Sequence, residues 1–483
     1  MNYRLIVRLL GAILLLEALT MLPPLVIALI YGDGDAMALL ISMILTMVAA
    51  LPTQLFFRPE EKNLRAREGF VIVALAWVLL SAFGALPFVL SGVLPNYIDA
   101  LFETVSGFTT TGSTVLEVFE GQPHGIMFWR SFTHWIGGMG VLVLTLALLA
   151  QVIGRASHLM RAESPGPEFS KILPKTGNTA KTLYLIYGAL TVLEFVLLMI
   201  AGLSPYDAAI HAMGTAGTGG FSNYGASVGE LGNPAVEVIV TVFMLIFSVN
   251  FALFYRTLTG HLRESLRSEE LHWFLAIFGI AAIAITVIIL PQYGSFGTAL
   301  RYGCFQVATV MSTTGYATAD FNLWPEAAKM ILFLLMFVGA CAGSTAGGIK
   351  VVRVALLIKQ GLREVRRTFQ PRRVSVVRFE GRGVEQSMLS QIAVFFFVYV
   401  ALVLVGSFLL SLFGPYGFET NFTAALTCVS NVGPGFGAVG PMGNFAGFGA
   451  MGKITLILLM LAGRLEIFPI LVLFHPATWK RSN

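Results

Sequence analysis

The stretch SGFTTTGST, residues 106–114, decides how this chain is interpreted. It places Ser and Thr hydroxyls around Gly112, between two long apolar stretches. Such residues do not build a lipid-facing helix, because every backbone polar group in hydrocarbon needs a partner within the protein. Irregular polar backbone at this depth is typical of a segment that lines water or is enclosed by protein.

The composition predicts that most of the chain lies in a membrane. Of its 483 residues, 56% are hydrophobic and 12% are charged, whereas soluble domains carry about 25% charged residues. Several apolar stretches reach about 20 residues, the length that crosses a bilayer. They are 5–30, 37–57, 69–90, 125–153, 182–203, 236–258, 271–290, 327–358, 392–413 and 454–474. We therefore predict an all-α polytopic membrane protein with about ten transmembrane helices.

The Lys and Arg residues predict the orientation of these spans. One side of the membrane would hold the stretches 1–8, 58–68, 154–181, 256–270, 359–386 and 475–483, which carry 24 of the 31 Lys and Arg residues. Among Lys and Arg residues, the intervening stretches on the other side contain only Arg301. Because cytoplasmic loops carry the excess of positive charge, we expect both termini in the cytoplasm and the 106–114 motif outside.

The opening motif has three relatives further along the chain. The four copies read DALFETVSGFTTTGS (99–113), DAAIHAMGTAGTGGFS (207–222), GCFQVATVMSTTGYAT (303–318) and ETNFTAALTCVSNVGPGFG (419–437). Aligning Gly112, Gly219, Gly315 and Gly433 gives four units of span, short helix, polar loop and span. Recurrence of this kind indicates repeated structural units, here arranged around a central pore. The alternative is that the polar loops are ordinary extracellular turns.

These repeats predict the domain organisation. A two-helix N-terminal extension would occupy residues 1–66, followed by pore repeats 1 at 67–155 and 2 at 178–262. Pore repeat 3 would occupy 268–360 and contain a broken second helix. A basic cytoplasmic linker at 361–386 would then lead to pore repeat 4 at 387–476.

A ring of such loops suits a cation that sheds its water shell. Backbone carbonyls and hydroxyls can replace the lost water, and glycine permits the backbone angles that this requires. The end of each short helix would add a negative dipole. The segments 106–113, 217–222, 312–318 and 430–437 contain no Asp or Glu, which favours a monovalent cation over calcium.

Several motifs resemble the Trk/Ktr/HKT superfamily of potassium uptake proteins, above all its bacterial TrkH-type membrane subunits. They are TTTGS, GTGGFS, STTGYAT and SNVGPGFG in the loops, with GGMG (137–140), GACAGSTAGGIKVVR (339–353) and GRLEIF (463–468) elsewhere. The resemblance covers essentially the whole chain and implies potassium uptake through a four-loop selectivity filter, without enzymatic activity. The filter residues it implies, and the sites for K⁺, are Thr110, Thr111, Gly112, Gly217, Thr218, Gly219, Thr313, Thr314, Gly315, Asn431, Val432 and Gly433.

Two features inside spans predict a gate. The stretch AGSTAGG (342–348) is rich in glycine, which indicates an unwound helix, although small residues also pack helices together. Arg464 lies within an apolar span, where an ionised residue is costly and usually functional; the alternative is a structural ion pair or carbonyl contact. The resemblance implies that loop and arginine obstruct the pore below the filter. The gate residues are Gly343, Ser344, Thr345, Ala346, Gly347, Gly348, Lys350 and Arg464.

The segment 359–383 carries eight Lys and Arg residues, and basic runs of this kind often meet anionic lipid headgroups. The resemblance instead adds a homodimer in the bacterial inner membrane and a TrkA-like cytoplasmic regulatory subunit that binds a nucleotide. This chain has no nucleotide motif of its own. We therefore expect no cofactor in it, and K⁺ only as the transported ion.

Other functions remain open at this stage. A secondary transporter uses broken helices and carboxylates at mid-membrane, for which the spans offer Glu17, Glu194 and Glu466. A symporter of the same architecture, coupled to H⁺ or Na⁺, is a further alternative. A membrane enzyme would need a nucleophile with a base, or a metal cluster, whereas the seven His residues are scattered.

The remaining polar residues within spans have simpler interpretations. Arg130, His134 and Asn250 are interpreted as packing or interface groups, and His211 as a hydrogen-bonding residue of the second short helix.

Overall fold

The computed structural model describes residues 1–57, 66–140, 177–372 and 375–479. Within them the regular structure is helical apart from one small antiparallel hairpin, Arg378–Phe379 with Arg382–Gly383. Three helices precede the first unit: Tyr3–Thr20, Leu22–Tyr31 and Ala36–Phe56. The first of them packs along the third and along the first helix of unit 1. The all-α prediction is confirmed.

Each of the four units contains an outer helix, a short helix and a return helix. The outer helices are Ala66–Gly84 (extended by Leu86–Leu90), Gly177–Ile200, Glu269–Tyr293 and Gln386–Phe413. Short helices 1 to 4 are Tyr97–Phe108, Pro205–Gly217, Phe296–Met311 and Phe418–Ser430. Return helix 1 is His124–Gly138, return helix 2 is Pro234–Phe247 with Phe251–Leu258, return helix 3 is Glu326–Phe337 with Val351–Phe369, and return helix 4 is Ala450–Arg464 with Phe468–Phe474. A short helix, Leu262–Leu266, leads into the third outer helix.

Short helices 1 and 2 begin where the sequence provides side-chain caps. The Asn96 side chain accepts a hydrogen bond from Ile98 N, and the Ser204 side chain accepts one from Asp207 N. Pro205 occupies the first helical position after Ser204. Both arrangements satisfy N–H groups that the first turn leaves without helical partners.

The return helices depart from the predicted continuous spans. Six helices of the described residues are long and apolar enough to cross a membrane singly: Tyr3–Tyr31, Ala36–Phe56, Glu68–Leu90, Lys181–Ile200, Glu269–Tyr293 and Gln386–Phe413. Return helix 2 would be a seventh, but its halves meet at 90°. Return helices 3 and 4 are also interrupted, and part of the fourth predicted span lies outside the described residues. The prediction of about ten helices counted return helices 2 and 4 as continuous spans, whereas the break in return helix 3 lies in the repeat whose second helix was predicted to be broken.

The packing of short helices against return helices closes a ring. Short helix 1 contacts return helices 4 and 1, and short helix 2 contacts return helices 1 and 2. Short helix 3 contacts return helices 2 and 3, and short helix 4 contacts return helices 3 and 4. Every unit is thus joined to the next and the last to the first, so the ends of the short helices converge.

Candidate functional site

Each short helix is followed by a residue in the left-handed backbone conformation. The φ angle is 53° at Thr110, 54° at Thr218, 57° at Thr313 and 55° at Asn431, a region that residues other than glycine seldom occupy. The next N–H closes back on the helix in all four units: Thr111 to Ser106, Gly219 to Gly214, Thr314 to Thr309 and Val432 to Thr427, at 2.9–3.0 Å. These are Schellman-type helix ends, and they turn the chain in the same way four times.

Four glycines complete the turns, and each lies against the polar segment of the next unit in a ring. Polar segments 1 to 4 are 110–112, 218–220, 313–315 and 431–433, and their final glycines have φ angles of 80°, 76°, 83° and 100°. A Cβ added to any of these glycines would lie within 2.7 Å of a carbonyl oxygen of a neighbouring segment. For Gly112, Gly220, Gly315 and Gly433 in turn, that oxygen belongs to Gly219, Thr314, Val432 and Thr111. The contacts run from segment 1 through 2, 3 and 4 back to 1.

The ring presents one backbone carbonyl oxygen from each polar segment. Within the described ranges, no hydrogen-bond donor reaches the oxygen of Thr111, Gly219, Thr314 or Val432. All four residues are buried, and buried carbonyls in proteins are almost always paired. A ring of unpaired carbonyls supplies the oxygen ligands that replace the water shell of a cation.

The side chains around the ring differ from unit to unit. In unit 1 the hydroxyls of Thr109 and Thr111 lie 2.8 Å apart, and in unit 3 those of Ser312 and Thr314 lie 2.7 Å apart. Unit 2 has glycine at both positions. In unit 4, Asn431 Nδ2 donates to Thr111 Oγ1 over 2.9 Å and ties segment 4 to segment 1. The repeated feature is therefore the backbone.

A loop of residues 338–350 divides return helix 3 and reaches the ring. Gly343 and Gly348 adopt left-handed φ angles of 73° and 66°. Gly347 N donates to Thr313 Oγ1 over 2.8 Å, and a Cβ on Gly347 would lie 2.6 Å from Ser430 O. The 338–350 loop thus lies directly against polar segment 3 and the end of short helix 4.

Arg464 joins the 338–350 loop to the return helices of other units. Its Nη1 donates to Thr345 O over 2.8 Å, and its Nη2 donates to Gly138 O over 2.9 Å and to Gly137 O. The two glycine carbonyls end return helix 1, where the helix dipole favours a cation. Thr345 Oγ1 donates to Phe247 O, at the break of return helix 2, over 3.2 Å.

Charged groups fasten the other side of the same loop. Ala342 N donates to Glu270 Oε1 over 2.7 Å, at the start of the third outer helix. The hairpin turn supplies Glu380, whose Oε1 accepts from Ser268 Oγ and Glu269 N, each over 2.8 Å. The hairpin therefore caps the helix whose second residue holds the 338–350 loop.

Lys350 and Arg353 follow the loop into the second half of return helix 3. Lys350 Nζ donates to Ala346 O within the loop, and Arg353 forms an ion pair with Glu466 at the break of return helix 4. Both cations are largely buried. Lys350 therefore closes the loop on itself, and Arg353 ties the helix that follows the loop to return helix 4.

Comparison with known proteins identifies the fold. The family model TrkH, described as cation transport protein, matches residues 37–481. The chain belongs to the TrkH family. It is 37% identical to the Trk system potassium uptake protein TrkH of Salmonella typhimurium, over 99% of this chain and 100% of that protein. It is 34% identical to the Trk system potassium uptake protein TrkI of Halomonas elongata, over 99% of this chain and 97% of that protein.

A solved structure agrees with this assignment. The crystal structure of the potassium transporter TrkH from Vibrio parahaemolyticus is similar to this chain with a TM-score of 0.90 and 32% sequence identity. The similarity covers 99% of this chain and 100% of that one. The resemblance that the loop motifs indicated is therefore confirmed over the whole length.

In this TrkH-family chain the sequence-based alignment of Gly219 with Gly112 is wrong by one residue. Gly217 is the last residue of short helix 2, and Gly219 corresponds in conformation to Thr111. The counterpart of Gly112 is Gly220, which has the positive φ and touches the next segment of the ring. The run of three glycines at 217, 219 and 220 offers two alignments, and only the backbone distinguishes them.

The structure also brings together residues that sequence reasoning did not assign to the site. Glu103 and Arg130 form a buried ion pair with Nε and Oε1 2.7 Å apart, and Arg130 Nη1 donates to Ser222 O over 2.8 Å. The available signal was the presence of opposite charges in neighbouring apolar stretches of unit 1. In the described part of the chain, no group of His, Cys, Asp and Glu residues is arranged to hold a metal.

Proposed function

We propose that this chain is the membrane subunit of a potassium uptake system and that polar segments 1 to 4 form its selectivity filter. The observation that supports this most directly is the ring of free carbonyls at Thr111, Gly219, Thr314 and Val432. The relatives named as potassium uptake proteins support potassium as the ion. Carbonyls carry no full charge, so a monovalent ion can both bind and leave.

The proposed gate is the 338–350 loop with Arg464. The loop lies against polar segment 3, and the Arg464 guanidinium holds Thr345 from return helix 4. In this arrangement a cation that leaves the ring meets both the loop backbone and a positive charge. Movement of the loop away from the ring would open the path.

The proposed partners are a second copy of the chain and a cytoplasmic nucleotide-binding regulatory subunit. The name "Trk system" of the relatives supports a system of several components. The end of return helix 3 exposes Leu362, Val365 and Phe369 beside Arg366 and Arg367. Exposed apolar side chains beside basic ones are typical of a surface that binds a protein partner. Any nucleotide would be bound by that partner, and this chain would need no cofactor.

The proposed location is the bacterial inner membrane, with both termini in the cytoplasm. The excess of Lys and Arg on one side supports this orientation. The activity would be transport without a catalysed covalent reaction.

A reconstitution experiment tests the proposal. The purified full-length chain in liposomes should take up rubidium, a potassium substitute, when a potassium gradient is the only driving force. Empty liposomes give the background. No rubidium uptake above this background, from protein that elutes as a folded species, would contradict the proposed function.

Symport is the second candidate, and two buried carboxylates favour it. Glu17 lies in the first N-terminal helix and Glu194 in the second outer helix. Both are buried, and their carboxylate oxygens have no hydrogen-bond partner in the part of the chain that the structure describes. Buried carboxylates of this kind can exchange protons with a transport cycle. If potassium moves only with an added proton gradient, and Glu17→Gln or Glu194→Gln abolishes that requirement, symport replaces the channel mechanism.

A further inference from the structure

We propose that four side chains behind the ring, Glu103, His211, Gln306 and Thr423, brace the polar segments and thereby set the discrimination between potassium and sodium. We call them the brace residues. The inference rests on the proposed function, because it assigns a role to residues that support the filter. None of the four belongs to a polar segment. Three of them bond to the backbone beyond the segment, and His211 bonds to the Ser222 hydroxyl there.

The brace residues occupy matching places on the short helices. Glu103, His211 and Gln306 each lie seven residues before the left-handed residue of their unit, and Thr423 lies eight before it. All four are buried. Each forms a hydrogen bond with the chain two to four residues beyond the final glycine of its own polar segment. The segment is thereby held both at the helix end and beyond its glycine.

In unit 1 the brace is a carboxylate with a buried counter-ion. Glu103 Oε2 accepts from Val115 N over 2.9 Å, and Glu103 Oε1 accepts from Thr114 Oγ1 over 2.8 Å. Arg130 Nε lies 2.7 Å from the same Oε1, and Arg130 Nη1 donates to Ser222 O beyond polar segment 2. The Arg130 guanidinium also lies over the Phe221 ring, 3.5 Å from its centroid. This network therefore couples segments 1 and 2.

In units 2 and 3 the braces carry no counter-ion. His211 Nδ1 lies 2.8 Å from Asp207 O and therefore acts as the donor; Nε2 then accepts from Ser222 Oγ over 3.2 Å. Gln306 Nε2 donates to Ala319 O over 3.2 Å. Ser222 thus contacts both His211, the brace of unit 2, and Arg130, the counter-ion of the unit 1 brace.

In unit 4 the hydroxyl of a threonine performs the same task. Thr423 Oγ1 accepts from Phe436 N over 3.0 Å and donates to Glu419 O over 2.8 Å in its own helix. The bond to Phe436 N corresponds in position to the bond that Glu103 makes with Val115 N. Side chains of different chemistry thus connect each short helix to the chain beyond its own polar segment.

The physical consequence is resistance of the ring to contraction. Sodium is smaller than potassium, and a flexible ring of carbonyls can close around it, so that size discrimination weakens. A segment fixed on both sides of its carbonyls cannot follow the smaller ion. Loss of a brace should therefore raise sodium permeation more than it lowers potassium permeation.

Two variants without charge change test this in the full chain. Gln306→Met keeps the side-chain length and removes the hydrogen bond to Ala319 O, and Thr423→Val keeps the shape and removes the bond from Phe436 N. Thr423→Ser, which keeps the hydroxyl, is the conservative rescue. Thr104→Val is the matched control, because Thr104 is also buried in short helix 1 and, among the residues that the structure describes, its hydroxyl bonds only to Ala100 O of its own helix.

The readout is the sodium-to-potassium permeability ratio, from reversal potentials in mixed salts across liposome membranes. We expect Gln306→Met and Thr423→Val to raise the ratio roughly three- to ten-fold, the range spanned by the net contribution of one buried hydrogen bond. Thr423→Ser and Thr104→Val should keep the original ratio. In folded protein, Glu103→Gln should raise the permeability ratio more than either test variant does, because the hydrogen-bond network of Glu103 holds two polar segments.

Two outcomes would overturn the inference. One is an unchanged ratio in well-folded Gln306→Met and Thr423→Val, and the other is an equal rise in Thr104→Val, which would indicate general loosening of the packing. Potassium conduction by the unmodified chain in the same liposomes separates these results from failure of the proposed function.

Discussion

The polar segments occur four times, with one backbone conformation and four different sets of side chains. The 338–350 loop, in contrast, occurs once, in unit 3, and is held by particular side chains. Segment 2 contains Thr, Gly and Gly, and segment 4 contains Asn, Val and Gly, yet both end in the same turn. The loop instead depends on Arg464 and Glu270. Among the described residues, neither of these two side-chain contacts is repeated in the other units.

Under the proposed function, this difference separates the selection of the ion by the ring from the obstruction of its path by the loop. A ring needs equal contributions from every side, and backbone carbonyls are the one group that every residue supplies. An obstruction needs only one element, and a single charge can hold it. Changes of glycine in the ring should therefore alter which ion passes, and changes at the loop should alter how fast ions pass.

The largest effect is expected for Gly112→Ser. A Cβ at this position overlaps the carbonyl oxygen of Gly219, and the φ of 80° is strained for any residue with a side chain. We expect the sodium-to-potassium permeability ratio to rise roughly five- to thirty-fold, the factor that corresponds to a strain of about 1–2 kcal/mol. Reversal potentials in mixed salts measure it.

Gly121→Ser is the matched control for this variant. Gly121 also has a positive φ, 73°, but no atom outside its immediate neighbours lies within 4 Å of an added Cβ. It should therefore share the backbone strain without touching the ring. Unchanged reversal potentials in Gly112→Ser, or equal shifts in both variants, would remove Gly112 from the filter.

A smaller effect, on rate, is expected for Arg464→Ala. Removing the guanidinium frees Thr345 O and removes a positive charge beside the path, so rubidium uptake should rise a few-fold, in line with a screened repulsion of roughly 1 kcal/mol. The permeability ratio should change little, because the ring is untouched. Uptake must be normalised to folded protein.

The opposite result has a clear meaning. The Arg464 guanidinium also caps the carbonyls of Gly137 and Gly138, and their loss of a partner costs stability. Slower uptake by well-folded Arg464→Ala would show that the arginine supports the open path rather than the obstruction. The barrier role would then be wrong.

The sequence was sufficient to predict the four units and the ring, because polar residues around glycine are conspicuous between apolar stretches. It could not align segment 2, since Gly219 and Gly220 are chemically identical and differ only in φ. It also could not predict that Thr110 adopts the left-handed conformation. That conformation follows from helix closure and from packing against neighbouring units, which adjacent residues do not encode.

The brace residues were beyond sequence reasoning for a related reason. Glu103, His211, Gln306 and Thr423 have different chemistry, so no common motif connects them. Their common role becomes visible only in the hydrogen bond that each makes beyond the final glycine of its own unit. Arg130, interpreted from the sequence as a packing group, pairs with Glu103 because the first short helix and return helix 1 are adjacent in the ring.

The smallest effect is expected outside both regions, where Asp33 meets His124 in the loop between the second and third helices. Asp33 Oδ2 accepts from His124 N over 2.9 Å and lies 2.6 Å from His124 Nδ1, and these bonds lower the pKa of Asp33 from its ordinary value. Tyr31 stacks on the same imidazole with ring centroids 3.9 Å apart, and Tyr206 lies on it edge-on. The contact fastens the N-terminal helices to return helix 1.

A carboxyl whose pKa is lowered by folding stabilises the folded state above its ordinary pKa, about 3.9, and that contribution is lost as the pH falls through the folded-state pKa. Asp33→Asn should therefore lower the thermal midpoint in detergent by no more than about 1–2 °C at pH 7, since the pair is partly exposed. The difference from the unmodified chain should shrink below about pH 4. Neither the permeability ratio nor the uptake rate should change at pH 7. A shift in either would mean that the N-terminal helices act on the ring or the loop, and the division of tasks between those two regions would then be incomplete.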